Sequence, residues 1–294
     1  MIGWLIYDQE NAKQNASYIE WFQDEAKKQG IELKLIIREN LAVGIEYGSY
    51  LFRYEDEKVT LPDFVVIRTI EPILQQIFQQ ITLPTFNEST VAEICNHKSK
   101  THIELNKLKI PMMATYFATK LAPPTKPPLP YPFVVKEAVG RGGKQIYYCQ
   151  SFDDWENAIQ SLSTNDFLIQ TADVQLGKDV RVFVIGKEII SAVLRVNEND
   201  FRANFKLGGD AVPYTLTEAD KKMIQKIINY FDFGLVGIDF LIGHDGELIF
   251  NEIEDVVGSR TLSKVSEINL LEKYVSYIKN KVKKHSVVEN KVRS

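Results

Sequence analysis

The stretch Val236–Asp255, VGIDFLIGHDGELIFNEIED, decides how this chain is read. Two apolar runs, VGIDFLI and ELIFNEIE, flank the turn His244-Asp245-Gly246, and Asp-Gly between apolar segments marks a hairpin. Along the second strand side chains alternate, so Glu252 and Glu254 share one face while Asn251 and Ile253 take the other. Asp239, on the neighbouring strand, can reach the face of Glu252 and Glu254. Leu248, Ile249 and Phe250 argue that the strand is buried, and carboxylates gathered in a buried place need a cation between them. Hard oxygen donors of this kind suit Mg²⁺, which keeps several waters and is completed by substrate phosphates. A solvated polar strand face is the plainer alternative.

Working outward, four further stretches carry charge in telling places. In FVVKEAVGRGGKQIYY, Lys136 ends an apolar strand, where a buried ammonium needs an anionic partner. Gly140, Gly142 and Gly143 follow, giving a loop whose N–H groups can approach a phosphate, although a hairpin turn would use the same residues. Lys98 stands in the capped, helix-rich stretch Asn87–Leu108, where Asn87 and Ser89 are N-cap candidates. GKDVRVFVIG sets Asp179 and Arg181 at alternate positions of an edge-like strand, and an ion pair at the surface is the plain reading. In DFRANFKLGG, Arg202, Asn204 and Lys206 alternate with small or apolar residues before two glycines. Such converging donors suit a phosphoryl group in transfer.

The rest of the chain supplies scaffold. Ile2–Asp8 reads as a strand, Asn15–Gln29 as a helix with Ile19, Phe22 and Ala26 on one face, and Ile31–Glu39 as a strand after the stop at Gly30. Leu61–Thr69 is a continuous apolar strand with the helix Glu71–Ile81 behind it, so this region is expected to hold a parallel sheet with crossovers. No glycine-rich phosphate loop follows the first strand, which argues against a dinucleotide site there. The Pro-rich tract APPTKPPLPYP (122–132) is semi-rigid rather than flexible. Strands FVVKEA, RGGKQIYYC and FLIQTAD, with the capped helix SFDDWENAIQSL, form a second region. A third, antiparallel in flavour, begins with two strands about Ile185-Gly186-Lys187. It continues through the loop Phe201–Leu216, a helix from Thr217 to Phe231, the hairpin above, and a last helix from Val265 to Lys284 that runs into a solvated basic tail.

At 294 residues the chain is long enough for several small cores. Its 35 Lys+Arg against 39 Asp+Glu, a net charge of −4, argue against a general nucleic-acid binder. Cys95 and Cys149 lie outside any CxxC spacing, which argues against a disulfide scaffold or thiolate zinc site. No run is long and apolar enough for a membrane span or a signal segment, so a cytoplasmic location is expected.

These pieces stand in a familiar order. The sequence resembles the ATP-grasp superfamily, and within it the RimK-like carboxylate–amine ligases, on DFRANFKLGGDA and VGID…NEIE above all and over roughly the last two-thirds of the chain. The resemblance implies an α/β (α+β) ATP-grasp fold: an N-terminal parallel α/β pre-grasp domain (1–86), a central grasp subdomain (87–167) and a C-terminal grasp subdomain carrying the metal site (168–294). It implies that Lys98 and Lys136 contact the phosphates of ATP under the Gly140, Gly142 and Gly143 loop. Gln170, Thr171 and Ala172 resemble the hinge at the adenine edge, and Asp179 the acidic residue near the nucleotide. Arg202 and Asn204 look like the pair facing the transferred phosphate, and Asp239, Glu252 and Glu254 like ligands of Mg²⁺, with two ions expected and Mn²⁺ an acceptable substitute. Three departures stand out: a QTA hinge in place of Q-E-aromatic, Glu254 in place of Asn, and DVVGSR after the metal strand.

The activity implied is ATP-dependent ligation of a carboxylate to an amine through an acylphosphate, on small-molecule or peptide substrates, in a protein free to form homo-oligomers. Arg68, at the end of its strand, and Arg260, just past the metal strand, are candidates for holding a substrate carboxylate, with structural ion pairs as the alternative. A D-alanine- or glutathione-type ligase is a second reading, and a nucleotide-binding module without catalysis a third.

Overall fold

The computed structural model describes residues 1–140, 145–203 and 209–293, with side chains as far as 287. Its contacts separate two compact units: Met1–Ala92 with Phe233–Leu235 and Asn269–Ser294, and Glu93–Asp232 with Val236–Ile268. The last helix thus belongs with the N-terminal unit, whereas the sequence placed it in the third region.

In the first unit β1 (Ile2–Tyr7) is followed by α1 (Gln9–Gln14), α2 (Ala16–Lys28), β2 (Glu32–Ile37), β3 (Leu41–Glu46), β4 (Ser49–Tyr54), β5 (Glu57–Lys58), β6 (Phe64–Ile67), α3 (Pro72–Gln80), β7 (Thr85–Phe86) and α4 (Ser89–Cys95). The sheet runs β2-β1-β6-β7 with all pairs parallel, as the strand–helix alternation predicts. Asp8 caps α1 by accepting from Asn11 N–H at 2.8 Å, which explains why a polar YDQENAKQ follows β1. Strands β3, β4 and β5 form a small antiparallel sheet that the sequence reading leaves out. Its two-residue turns place Tyr47, Gly48, Glu55 and Asp56 at positive φ. Only Gly48 advertises that geometry in the sequence. Asn87, a cap candidate in the sequence, accepts from Gly234 N–H at 2.5 Å and donates to the Leu235 carbonyl at 3.0 Å. The C-terminal helix Leu270–Arg293 packs on α2, with Phe22 against Tyr274 at 5.7 Å between ring centroids.

The second unit holds α5 (Lys98–Lys107), β8 (Thr115–Thr119), β9 (Phe133–Glu137), β10 (Ile146–Cys149), α6 (Phe152–Ser161), β11 (Asp166–Thr171), β12 (Lys178–Ile185), β13 (Glu188–Val196), β14 (Asp210–Pro213), α7 (Glu218–Tyr230), β15 (Leu235–Ile242), β16 (Leu248–Glu254) and α8 (Arg260–Val265). The stretch Asn87–Leu108 is therefore two helices, broken at Asn96-His97. Helices α6 and α7 begin in capping boxes, Ser151 with Asp154 and Thr217 with Asp220. A four-stranded antiparallel sheet runs β10-β9-β11-β8. Its Phe133, Val135, Cys149, Phe167 and Ile169 pack on Trp155, Ala158 and Leu162 of α6 and its end. Alternation then puts Lys136 and Gln170 on the opposite face. A five-stranded antiparallel sheet runs β14-β13-β12-β15-β16, so Asp179 and Arg181 lie on a central strand, not an edge. Among the described residues, no helix is long and apolar enough to cross a membrane.

Candidate functional site

Strand β16 carries the site because its pairing with β15 is irregular. Asp239 stands opposite Glu252 and Phe240 opposite Phe250, leaving Asn251 as the extra residue of a bulge. A bulge re-aims side chains, and here it overturns the expected alternation. Asn251 accepts from Lys136 Nζ at 2.8 Å, and the neighbouring Glu252 lies 3.4 Å from Lys98 Nζ. Both lysines, one from a strand and one from the first turn of α5, thus meet consecutive residues of β16.

Lys98 is anchored from two sides. Its backbone N–H donates to the Ala138 carbonyl at 2.8 Å and its ammonium to the Gly140 carbonyl at 2.9 Å. Lys136 is buried, and burial pulls its ammonium down to about 8, with Lys98 pushing the same way and Glu252 opposing. Two ammonium groups sharing one nearby carboxylate make a pocket that suits an added polyanion.

The buried carboxylates do have cations between them, and those cations are guanidinium groups. Asp239, 1% exposed, takes 2.7 Å hydrogen bonds from Arg181 Nε and Nη2 and a 2.8 Å bond from Arg195 Nη2. Arg195 also grips Asp179 through two 2.6 Å bonds. Arg181 Nη1 lies 2.5 Å from Glu254 Oε2, close enough for an ion pair but without hydrogen-bond alignment. Burial, with Asp239 nearby, pushes the Asp179 carboxyl up against the pull of Arg195 and, more weakly, Arg181. Burial pushes Asp239 up as well, but two arginines outweigh it and hold that carboxyl well below the usual range. The surface ion pair expected for Asp179 and Arg181 is instead a buried network in which each bonds a different partner.

Gly237 lets Val257 pack close against β15, beside Arg181. A Cβ there would lie 2.7 Å from Val257 Cγ2 and 3.4 Å from Arg181 Cδ and Nε. Residue types alone carried little signal for Arg181, Arg195 and Asn251: two arginines in strands and an asparagine assigned to the wrong face.

The other expected residues divide as follows. Thr171 N–H donates to the Ala114 carbonyl at 3.1 Å, and the Ala172 carbonyl accepts from Val174 N–H at 3.0 Å. Gln170 is buried, and its amide nitrogen bonds His102 and Thr115. Arg202 is held by Asp200 at 2.7 Å and lies over the Phe201 ring, which in turn packs on Tyr148 of β10 at 5.2 Å. Arg260 is exposed at the start of α8. Arg68, in the first unit, is buried after β6 with its Nε 3.2 Å from Tyr7 Oη and its guanidinium 5.4 Å from the Tyr18 ring centre. Gly142, Gly143 and Asn204 lie outside the described residues.

Among the described residues, no three His, Cys, Asp or Glu side chains close into a ready metal cage. Glu252 is a partly exposed oxygen donor beside Lys98, and Glu254 is a second partly exposed one whose Oε2 lies 2.5 Å from Arg181 Nη1 and, among the described residues, accepts no hydrogen bond. That donor set fits a Mg²⁺ ion brought with phosphates, which need only one or two carboxylates from the protein.

Residues 96–278, more than half of the chain, match the family described as RimK-like ATP-grasp domain. The chain is 26% identical over 249 residues to the alpha-aminoadipate–LysW ligase LysX of Sulfurisphaera tokodaii, covering 80% of this chain and 87% of that protein. It is 28% identical over 208 residues to a probable alpha-L-glutamate ligase of Legionella pneumophila, covering 68% of each. Among solved structures, a RiPP-associated ATP-grasp ligase of Chryseobacterium gregarium, in complex with ADP and a leader and core peptide, superposes with a TM-score of 0.70 at 14% identity. That match covers 95% of this chain and 97% of the other. A RimK domain ATP-grasp protein of Sphaerobacter thermophilus also gives 0.70, at 15% identity, over 95% and 99%. These structural likenesses place the fold. With the converging lysines and the carboxylate strand inside the matched segment, the chain belongs to the RimK-like ATP-grasp family.

Proposed function

We propose that this protein joins a carboxylate to an amine at the expense of ATP, with an amino acid as the amine. The observation that carries this reading is the meeting of Lys98 and Lys136 with Glu252 and Asn251, inside the segment that matches the family. The names of the relatives, an alpha-aminoadipate–LysW ligase and a probable glutamate ligase, support an amino-acid substrate.

In this reading a substrate carboxylate oxygen attacks the γ-phosphorus of ATP, the bond to the bridging oxygen breaks, and ADP leaves. The amine, after losing a proton, attacks the acyl carbon of the acylphosphate and inorganic phosphate departs. The protein contributes alignment and charge. Lys98 and Lys136 take the phosphates, and the loop that starts at Gly140 and includes Gly142 and Gly143 covers them. Glu252 and Glu254 would hold Mg²⁺ or Mn²⁺, which would supply neutralisation of phosphate charge. Asp239 and Asp179, with their oxygens already engaged by guanidinium groups, act by fixing Arg181 and Arg195 in place. Arg202 and Asn204 face the acyl phosphate, which requires Arg202 to exchange its contact with Asp200 for substrate. Gln170 to Ala172 meet the base, and Arg68 and Arg260 are candidates for a substrate carboxylate. The pre-grasp unit, the central subdomain and the C-terminal subdomain are proposed to divide these tasks.

ADP release, measured with Mg²⁺-ATP and a panel of amino acids as both carboxylate and amine donors, tests the proposal. Turnover that requires two substrates and disappears in Arg202→Ala supports it. Tight ATP binding with no turnover on any pair, or turnover unchanged in Arg202→Ala, overturns respectively the ligase reading and the role of that arginine.

A further inference from the structure

The amide of Gln170 is oriented by its surroundings. His102 Nδ1 lies 2.9 Å from the carbonyl oxygen of Lys98, one turn earlier in α5. A carbonyl only accepts, so Nδ1 carries the ring proton. The ring is buried and neutral, burial drawing it down to about 4, which leaves Nε2 as an acceptor. Gln170 Nε2 is 3.0 Å from that acceptor. It is also 2.8 Å from Thr115 Oγ1, whose own proton goes to the Met113 carbonyl at 2.7 Å. Two independent acceptors therefore claim the two N–H bonds of one amide. Turning the side chain over would set its oxygen against His102 Nε2, and Thr115 could meet it only by giving up its own bond to the Met113 carbonyl. The Gln170 oxygen, Oε1, is left buried with no hydrogen-bond partner among the described residues, on a residue only 1% exposed and on the sheet face shared with Lys136. A buried orphan acceptor costs free energy in the empty protein and is recovered only when a donor arrives.

We propose that His102 is a positioning residue that locks the Gln170 amide with its oxygen presented as an acceptor, and thereby selects a nucleotide base carrying an exocyclic amine over one carrying a carbonyl. The inference rests on the nucleotide reading above. His102 is suited to the task because it bridges three elements. Its Nδ1 bonds the backbone of α5, its Nε2 bonds β11, and its ring packs edge-on against Phe250 of β16 at 5.4 Å. The helix that carries Lys98 and the strand that carries Gln170 are thus connected through one imidazole. A 6-amino purine offers an N–H to the waiting oxygen, whereas a 6-oxo purine brings a second acceptor against it, and sites built to hydrogen-bond one group reject its replacement strongly.

The test compares binding of ATP and ITP, whose bases differ in carrying an amino or an oxo group at C6, by calorimetry on the full chain. Five proteins are compared: the unmodified protein, His102→Leu, His102→Asn, Gln170→Met and the double variant His102→Leu/Gln170→Met. The unmodified protein is expected to prefer ATP by about 10-fold or more. In His102→Leu the amide is free to turn over and the preference should fall to within about 3-fold. His102→Asn, which can again accept from the amide, should restore part of it. Gln170→Met should abolish it, with no added effect of His102→Leu in that background. A His102→Leu protein that is folded by circular dichroism and keeps the full preference overturns the role of His102, as does a His102→Asn protein no more selective than His102→Leu. Failure of the unmodified protein to bind either nucleotide overturns the nucleotide reading itself, and the proposal with it. A changed overall affinity at constant ATP/ITP ratio would mean that His102 acts only on packing, and would also overturn it.

Discussion

Arg181 grips Asp239 with Nε and Nη2, each 2.7 Å from a different carboxylate oxygen, while its remaining nitrogen, Nη1, reaches Glu254 at 2.5 Å. One guanidinium therefore compensates carboxylates on both strands of the hairpin that carries the site. Arg195 completes the arrangement by joining Asp239 to Asp179. The extra negative charge that Glu254 brings to β16 is met from within the protein by Arg181, so an acidic residue there is compatible with polyphosphate nearby.

Removing Arg181 should be costly. Arg181→Met leaves Asp239 buried with a single guanidinium and Glu254 with none, and breaking a buried pair from one side typically costs about 3–5 kcal/mol. Urea unfolding followed by far-UV circular dichroism reads this directly. Arg181→Met combined with Asp239→Asn should lose less than the sum of the two single changes, because the lone charge has been removed. A loss under about 1 kcal/mol for Arg181→Met would identify the contact as an ordinary solvated pair.

Gly237→Ala should strain the packing beside the same network, chiefly through Val257. The new methyl would stand 2.7 Å from Val257 Cγ2, inside any normal contact, and 3.4 Å from Arg181. Overpacking of this kind costs about 1–3 kcal/mol. Part of the lost melting temperature should return when Val257→Ala is added, since that removes the nearer obstacle. No recovery in the double variant would place the strain at Arg181.

Stability should fall on acidification through His102. Burial lowers this imidazole from 6.5 to about 4, with Lys98 and Lys136 pushing down and Glu252 and the Lys98 carbonyl pushing up. The unfolded chain takes a proton near 6.5 and the folded chain only near 4, so the unfolded state binds more protons between those values. The stability held above pH 6.5 is therefore lost as the pH falls towards 4. By pH 4.5 the loss from this residue is about 2–3 kcal/mol. In His102→Gln that portion of the pH dependence should vanish in paired urea titrations at pH 7 and 4.5. An unchanged slope would show that His102 titrates as an exposed histidine.

Much of this was legible in the sequence because period and end signals agreed. The parallel strands β1, β2 and β6, the capping boxes at Ser151 and Thr217, and the hairpin around Asp245-Gly246 all follow from local pattern. Lys136 could be picked out from its setting, a charge ending an apolar strand, whereas Lys98 stood out only through the family resemblance. The β3–β5 sheet was not, because its Glu55-Asp56 turn adopts positive φ without glycine. Asn251 was assigned to the wrong face because a bulge breaks strict alternation without changing composition. Arg181 and Arg195 were passed over because strand order sets their value. On an edge they would be solvated, whereas β12 and β13 lie inside a five-stranded sheet, where a charge must find a partner.

Lys136 should show function opposed to stability. Burial holds its ammonium near 8 rather than 10.5, so keeping it charged at pH 7 costs the folded protein about 3 kcal/mol relative to an exposed lysine. The hydrogen bond to Asn251 returns part of that. Lys136→Met fills similar volume without charge, and is expected to match the unmodified protein in urea stability at pH 7 to within about 1 kcal/mol, or to exceed it. ATP affinity should nevertheless fall by about 10-fold or more, because a charge-assisted contact to phosphate is lost from a site that had already met its desolvation cost. The ATP-induced rise in melting temperature should shrink accordingly. A variant that loses stability but binds ATP normally would reverse the assignment, making Lys136 a structural partner of Asn251 and leaving Lys98 alone to take the phosphates.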